Sequence, residues 1–431
     1  MNTSTVRVSL LTLLIMGITV LYIPFSDDPF RSFRETLFQA VAAGFIFLHL
    51  AFPGGNGAAA ERNPAFRYAL WLFGAAAAGM AASLFINGAT PLGAMTAANF
   101  LFAGVLFIAL YGALTRERSR FWLALFFTAA FLNATLGVTQ FFGYDPFFKS
   151  MDPSFHSLYH RYRVGGFLDS PNMLAPFLAS FAPYLLVVFL IEENGVRAAT
   201  AGAGLALLLA PVALAKNLAA IAGLAVVMPV LLAWFTLRLK TRRSARLALC
   251  WLAAAITAVF VFAAYNAEDE TTKLLRAHSR DERMAQNRAA MMMFADSPAA
   301  GKGPGFFFAH FVEYRRAVWF GHPPLRLPDR PAHQTHNDYA QLLAEGGLLA
   351  GLPVFGLLLL WSFLQAKFFR GAWSAATVSA REAALAGSAG GFWIIAVNAL
   401  GSFPFHVATL AVTALFWGAL AARQLEEPAD G

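Results

Sequence analysis

Runs of apolar residues, each about 20 residues long and able to cross roughly 30 Å of hydrocarbon as a helix, recur along the chain. Short polar connectors separate these runs, and the alternation expected of strands is absent. The pattern predicts an all-α, polytopic integral membrane protein with about twelve transmembrane helices in a single membrane domain, residues 1–431. The predicted spans are 7–25, 36–53, 67–86, 98–114, 120–142, 173–192, 198–215, 218–237, 247–265, 338–363, 382–401 and 404–422.

Composition supports the same class. Of the 431 residues, 58% are hydrophobic, 14% are aromatic and only 13% are charged, which is typical of a polytopic membrane protein rather than of several soluble domains. Much of the net charge of +8 lies in short connectors, where Lys and Arg set topology, so we expect contacts with membrane lipid and none with nucleic acid. The single cysteine, Cys250, excludes an internal disulfide.

Basic residues mark one side of the predicted membrane domain, because they fall in alternate connectors. By the positive-inside rule this side is cytoplasmic and holds both termini. The two longest connectors, 143–170 and 266–337, then face outward and form a periplasmic loop and a large periplasmic loop. The basic connectors contain Arg62, Arg67, Arg116, Arg118, Arg120, Arg197, Arg238, Lys240, Arg242, Arg243, Arg246, Lys367, Arg370 and Arg381.

The 266–337 loop carries the candidate chemistry. It ends in His336-Asn337-Asp338 just where the next apolar run begins, so an imidazole lies at the membrane surface. Residues 279–294 are predicted to form a helix, which Pro298 and the glycine-rich run that follows would end. A proton acceptor therefore shares one segment with many positive charges, a combination that favours an anionic substrate. The arginines are Arg276, Arg280, Arg283, Arg288, Arg315, Arg316, Arg326 and Arg330.

Three segments carry motifs. The first runs from Arg163 through a Gly-Phe pair to Asn172, which opens an apolar run. The second begins at Arg283 and continues through Pro298 to a Gly-x-Gly turn. The third is His336-Asn337-Asp338-Tyr339, which leads to Glu345-Gly346-Gly347.

In their order, spacing and topology these segments resemble the O-antigen ligase and O-antigen polymerase superfamily of bacterial membrane proteins. One position departs from the family pattern, since Lys216-Asn217 stands where a Ser-Arg pair is expected at a helix start. The resemblance implies a metal-independent inner-membrane glycosyltransferase of the C-type, without a cofactor. Such an enzyme moves a glycan from undecaprenyl pyrophosphate to an acceptor on the periplasmic face of a Gram-negative inner membrane.

The acceptor distinguishes the members of the superfamily. In the ligase, which we favour, it is the lipid A core oligosaccharide. In O-antigen or exopolysaccharide polymerases it is another lipid-linked repeat, and in related protein O-oligosaccharyltransferases it is a Ser or Thr. A transporter of lipid-linked glycan, without any chemistry, is the alternative from a different class, although the repeated broken helices typical of transporters are not evident.

The predicted catalytic residues are His336, as the base that accepts the proton of the attacking hydroxyl, and Arg163 and Arg283, whose guanidinium forks match diphosphate oxygens. Asn337, Asp338 or a backbone carbonyl is expected to hold the imidazole. The predicted substrate-binding residues are Asn172, Lys216, Arg280, Arg288, Asn337 and Asp338.

Purely structural roles stay open for most of these residues. His336 and Asn172 could cap or pack helices, the arginines could contact lipid phosphates, and Glu345 could form a structural ion pair. No metal is expected, although pairs of candidate ligands exist. These pairs are His156 with His160, the cluster of His322, His333 and His336, and Asp27 with Asp28.

Overall fold

The computed structural model describes residues 3–21, 31–51, 64–145, 164–168, 170–238, 246–251, 270–321, 331–372 and 377–426. Every regular element in these ranges is a helix, as predicted. The α-helices are α1 Thr3–Thr19, α2 Arg31–Ala51, α3 Pro64–Ile86, α4 Pro91–Ala113, α5 Arg116–Phe141, α6 Pro171–Ala179, α7 Ala182–Ile191, α8 Gly195–Leu214, α9 Leu218–Arg238, α10 Glu270–Asp296, α11 Phe306–Gly321, α12 Asp338–Ala372, α13 Ala380–Asn398 and α14 Ala408–Glu426. Residues 246–251 are also helical, and 3₁₀ turns occur at Gly166–Leu168 and Pro404–His406.

Eight helical segments of the described chain are long and apolar enough to cross a membrane, so the protein is a polytopic membrane protein. Each predicted span overlaps a described helix, although residues 252–265 of the 247–265 span lie outside the described residues. The count of twelve spans stays a prediction. One predicted boundary was wrong, since the span predicted to begin at residue 98 begins at Pro91. Thr90 caps this helix, because its hydroxyl accepts a hydrogen bond from Gly93 N, and a proline is favoured at the first helical position.

The span predicted at 173–192 is divided into α6 and α7 at Ser180 and Phe181. Pro183 starts the second piece, and because proline has no N–H it cannot continue the hydrogen bonding of the first. The Ser180 hydroxyl instead donates to Phe177 O at 2.7 Å and accepts from Trp417 Nε1 at 3.2 Å. The break therefore lies in the core, where Phe181 and Trp417 meet edge to face at 5.2 Å.

The 266–337 segment contains two helices, α10 and α11, that pack against the first turns of α12. The helix predicted at 279–294 lies within α10, and it ends before Pro298 as expected. Small and apolar residues form the contact between the three helices. They include Ala285, Ala289 and Met293 of α10, Phe307 and Phe311 of α11, and Ala340 and Ala344 of α12.

Gly347, in the third motif, forms a kink in α12. The glycine-rich turn of the second motif packs against this kink. Gly347 has φ 58°, and a Cβ there would lie 2.4 Å from Gly301 N, so only glycine fits. The kink frees backbone groups of α12, and the turn satisfies them. The bonds are Leu348 N to Pro298 O at 2.8 Å, Leu349 N to Ala299 O at 3.0 Å, Lys302 N to Ala344 O at 2.8 Å and Gly303 N to Glu345 O at 3.0 Å.

Candidate functional site

His336 lies in the turn that leads into α12 and adopts a left-handed backbone conformation with φ 56°. The Thr335 hydroxyl stabilises this turn, because it accepts from Asn337 N at 2.9 Å and donates to Asn337 O at 2.5 Å. A non-glycine residue in this conformation is strained, so the surrounding contacts must hold it there. Strained residues of this kind cluster at functional sites. The imidazole packs edge to face against the Phe403 ring, with centroids 4.8 Å apart.

The electrostatic environment keeps the His336 imidazole neutral. Burial, with a smaller contribution from the positive charge of Arg283, lowers the pKa of His336 from 6.5 to about 4. Its Nδ1 atom is buried and has no hydrogen-bond partner in the part of the chain that the structure describes. At neutral pH the residue is therefore an uncharged imidazole beside a guanidinium, a state in which it can accept a proton.

Arg283 reaches this site from α10. Its Nη1 atom donates to the carbonyl oxygen of Gly401 at 3.3 Å, and burial lowers its pKa. A guanidinium stays protonated in proteins, so Arg283 presents a partly desolvated positive charge. The structure brings together His336 and Arg283, which the sequence placed more than fifty residues apart.

The turn between α13 and α14, residues 399–407, forms one wall of the site and was missed by the sequence analysis. The carboxylate of Asp338 accepts from Phe405 N at 2.8 Å and lies 2.5 Å from His406 Nδ1. The backbone N–H of Asp338 donates to Ala399 O at 3.0 Å. His406 could have been noticed as a histidine beside Pro404 in the short connector between two apolar runs, but nothing in the sequence links it to Asp338.

The expected support of His336 by Asn337 or Asp338 is wrong, because both side chains have other partners. Asn337 Oδ1 caps α12 by accepting from Tyr339 N at 3.2 Å and Ala340 N at 3.1 Å, while Asp338 holds His406. These two residues shape the turn that carries the imidazole.

Asn172 and the α8–α9 junction meet beside the same wall. The sequence left open that Asn172 caps α6, but the N-cap is Ser170, whose hydroxyl accepts a hydrogen bond from Asn172 N. The Asn172 amide oxygen instead accepts from Asn217 Nδ2 at 2.9 Å. Lys216 adopts φ 50° in this junction. Gly401 lies close to the start of α9, since a Cβ on Gly401 would lie 3.3 Å from the Ala219 side chain. The turn that binds Arg283 is therefore packed against the start of α9, next to Lys216.

Arg163 lies outside the described residues, but the segment that follows it is held tightly. Gln140 Oε1 accepts from Gly165 N at 3.0 Å and Gly166 N at 2.8 Å, and Asn133 Oδ1 accepts from Phe167 N at 2.9 Å. Arg34 of α2 donates to Phe167 O at 2.6 Å. Sequence reasoning missed Arg34, Asn133 and Gln140, which fix the chain from residue 164 onward.

The other arginines of the 266–337 segment have varied surroundings. Arg280 is largely exposed and pairs with its neighbour Asp281 at 3.3 Å, while Arg288 is half-buried on the same helix. Arg315 is buried, with its guanidinium carbon 5.5 Å from the centre of the Phe311 ring. Arg326 and Arg330 lie outside the described residues.

Glu345 is fully buried one helical turn beyond Gln341, which donates to its carboxylate at 3.3 Å. The backbone amides of Gly305 and Phe307 also hydrogen bond to this carboxylate. These contacts tie α12 to the start of α11, so Glu345 has a structural role.

In the part of the chain that the structure describes, no group of three or more His, Cys, Asp or Glu side chains could hold a metal ion. The candidates Asp27, Asp28, His156, His160 and His322 lie outside the described residues. His333 stacks on Phe308, with ring centroids 4.3 Å apart.

Comparison with known proteins gives one family match. The model of a family described as O-antigen ligase matches residues 182–355, a region that contains both Arg283 and His336. This match supports the O-antigen ligase superfamily, and with it a ligase or polymerase type of activity on lipid-linked glycans. No curated protein matches the chain.

Proposed function

We propose that this protein belongs to the O-antigen ligase superfamily and transfers a glycan from undecaprenyl pyrophosphate to the lipid A core oligosaccharide. The reaction would take place on the periplasmic face of the Gram-negative inner membrane, without a metal or a cofactor. The observation that carries the proposal is the partly buried imidazole of His336, neutral at pH 7, beside the guanidinium of Arg283, within the region that matches the family.

In the proposed reaction, a hydroxyl oxygen of the acceptor attacks the anomeric carbon of the donor sugar. A new glycosidic bond forms as the bond between that carbon and the pyrophosphate oxygen breaks, and the electron pair leaves with undecaprenyl pyrophosphate. His336 accepts the hydroxyl proton, because its imidazole is uncharged and Nδ1 lacks a protein partner in the described part of the chain.

Arg283 is proposed to bind the pyrophosphate and to stabilise the charge that develops on it as the bond breaks. Arg163 is proposed to do the same from the other outward-facing segment, since the anchored residues 164–168 follow it directly in the chain. Asn172 and Lys216 lie beside the wall that Arg283 contacts and are proposed to bind the substrate. Arg280 and Arg288, on the helix of Arg283, are proposed to attract the anionic donor.

Binding of the donor would also tune the base. The pyrophosphate charge offsets that of Arg283, which is one of the two causes of the low pKa of His336. The imidazole therefore becomes a stronger base only when the donor is in place. Such coupling would limit proton transfer to the loaded enzyme.

The test is glycan transfer by the purified chain in liposomes that contain lipid-linked glycan. One arm supplies lipid A core oligosaccharide, another supplies only further lipid-linked glycan, and a third supplies a Ser- and Thr-containing protein. We expect the product in the first arm, while product in either of the others would identify a polymerase or a protein oligosaccharyltransferase instead. Flip of the lipid between leaflets without release of undecaprenyl pyrophosphate would identify a transporter and would contradict the proposal.

Variants test the roles of individual residues. We expect His336→Ala to lower kcat by about 10²- to 10⁴-fold, as loss of a general base does, and Arg283→Lys to weaken donor binding because a lysine cannot form the bidentate contact. The matched control is His310→Ala, since His310 is partly exposed on α11 and pairs with Glu313 at 3.2 Å. Full transfer by His336→Ala would remove the base assignment. Parallel assays with EDTA should give unchanged rates.

A further inference from the structure

A cavity lies away from His336, towards the other end of α12. Its volume is about 930 Å³, and helices α3, α4, α12, α13 and α14 line it. The lining is mainly apolar and aromatic, as shown by Leu70, Phe107, Leu358, Trp361 and Phe392. The segment of α12 from Gly347 to Lys367 is roughly 30 Å long, so the Lys367 end of this cavity lies about a hydrocarbon thickness from the kink at Gly347.

Most charged side chains around this cavity are already engaged. Glu382 forms a buried ion pair with Arg238 at 2.9 Å, and Glu426 pairs with Arg423 at 3.2 Å. Arg381 Nε donates to Gln424 O at 2.5 Å. The exception is Lys367, which is exposed and has no hydrogen-bond or ion-pair partner within the described residues.

We propose that this cavity binds an anionic phospholipid from the leaflet opposite to the His336 site. Its acyl chains would fill the apolar interior, and its phosphate would lie against the ammonium of Lys367. Four of the five surrounding helices are candidate membrane spans, so hydrocarbon rather than water surrounds the protein here. The volume is within the range of about 300–1,000 Å³ typical of ligand sites, and the positive charge at its end complements a phosphate.

The inference is independent of the glycosyltransferase proposal, because it predicts retention of a lipid by the resting protein. The experiment uses the full chain reconstituted in nanodiscs of phosphatidylcholine with phosphatidylglycerol, followed by extraction and native mass spectrometry to count retained lipids. We expect retention of phosphatidylglycerol in preference to phosphatidylcholine. Equal retention of both lipids by the unmodified chain would overturn the proposed headgroup contact.

Two matched pairs of variants locate the lipid. Leu358→Trp should obstruct the cavity and lower retention about tenfold, whereas Leu359→Trp should not, because Leu359 is 72% exposed on another face of α12. Lys367→Glu should lower the preference for phosphatidylglycerol about fivefold, whereas Arg370→Glu, which does not line the cavity, should preserve it.

Because Lys367 is exposed, we expect its variant to fold normally, and elution as a single species in size-exclusion chromatography would verify this for all four variants. Equal retention by Leu358→Trp and Leu359→Trp would overturn the assignment of the cavity. Equal effects of Lys367→Glu and Arg370→Glu would overturn the role of Lys367.

Discussion

The protonation of His336 offers a direct test of the site that needs no substrate. The pKa of about 4 predicts that at pH 5 about 90% of the His336 imidazole is neutral. A histidine with the ordinary pKa of 6.5 would be only about 3% neutral at that pH. The neutral fraction at pH 5 should therefore exceed the ordinary one about thirtyfold, and protonation should occur only as the pH falls towards 4.

Diethylpyrocarbonate acylates neutral imidazoles, so the rate at which it modifies His336 reports this fraction. We would measure the modification of the peptide that contains His336 by mass spectrometry from pH 4 to pH 7.5. N-Acetylhistidine in the same reaction corrects for the intrinsic pH dependence of the reagent. The expected midpoint for His336 lies near pH 4.

Replacement of Arg283 by Gln tests the second cause of the low pKa. Loss of the guanidinium removes a repulsion on the imidazolium, so the midpoint should rise, yet stay below 6.5 because burial is the larger cause. Arg288→Gln on the same helix is the control and should leave the midpoint unchanged. A midpoint near 6.5 in the unmodified chain would refute the reasoning, as would equal effects of the two replacements.

Three further predictions concern the free energy of unfolding, measured from the midpoint of unfolding in mixed micelles as sodium dodecyl sulfate is added. Asp338→Asn should destabilise the protein by about 2 kcal/mol, because it weakens a charged hydrogen bond to His406 at 2.5 Å, and an unchanged midpoint would contradict this. Arg238→Ala should cost about 3–5 kcal/mol because it leaves Glu382 buried without its 2.9 Å ion pair, while replacement of both residues by Met should recover most of the loss. Gly347→Ala should cost at least about 1–3 kcal/mol, since φ is 58° and the new methyl would lie 2.4 Å from a backbone nitrogen, and wild-type stability would disprove the kink.

The sequence predicted the site only in part. The position of His336 before an apolar run and the arginines of α10 were enough to propose a base beside positive charges. The partners of these residues were not predictable, because they come from distant parts of the chain. Asp338 and His406 are separated by 68 positions, and Arg34 meets Phe167 across 133 positions.

The sequence by itself determined the class of fold and indicated the region in which we propose that the chemistry takes place. The hydrocarbon core of a membrane holds no water, so a segment that crosses it must satisfy its backbone hydrogen bonds internally. A run of apolar residues therefore specifies a helix without reference to the rest of the chain. Only the tertiary structure decided which side chains share a site and in what state. The neutrality of His336 depends on its burial and on the charge of Arg283, and both arise when α10, the turn before α12 and the 399–407 turn pack together.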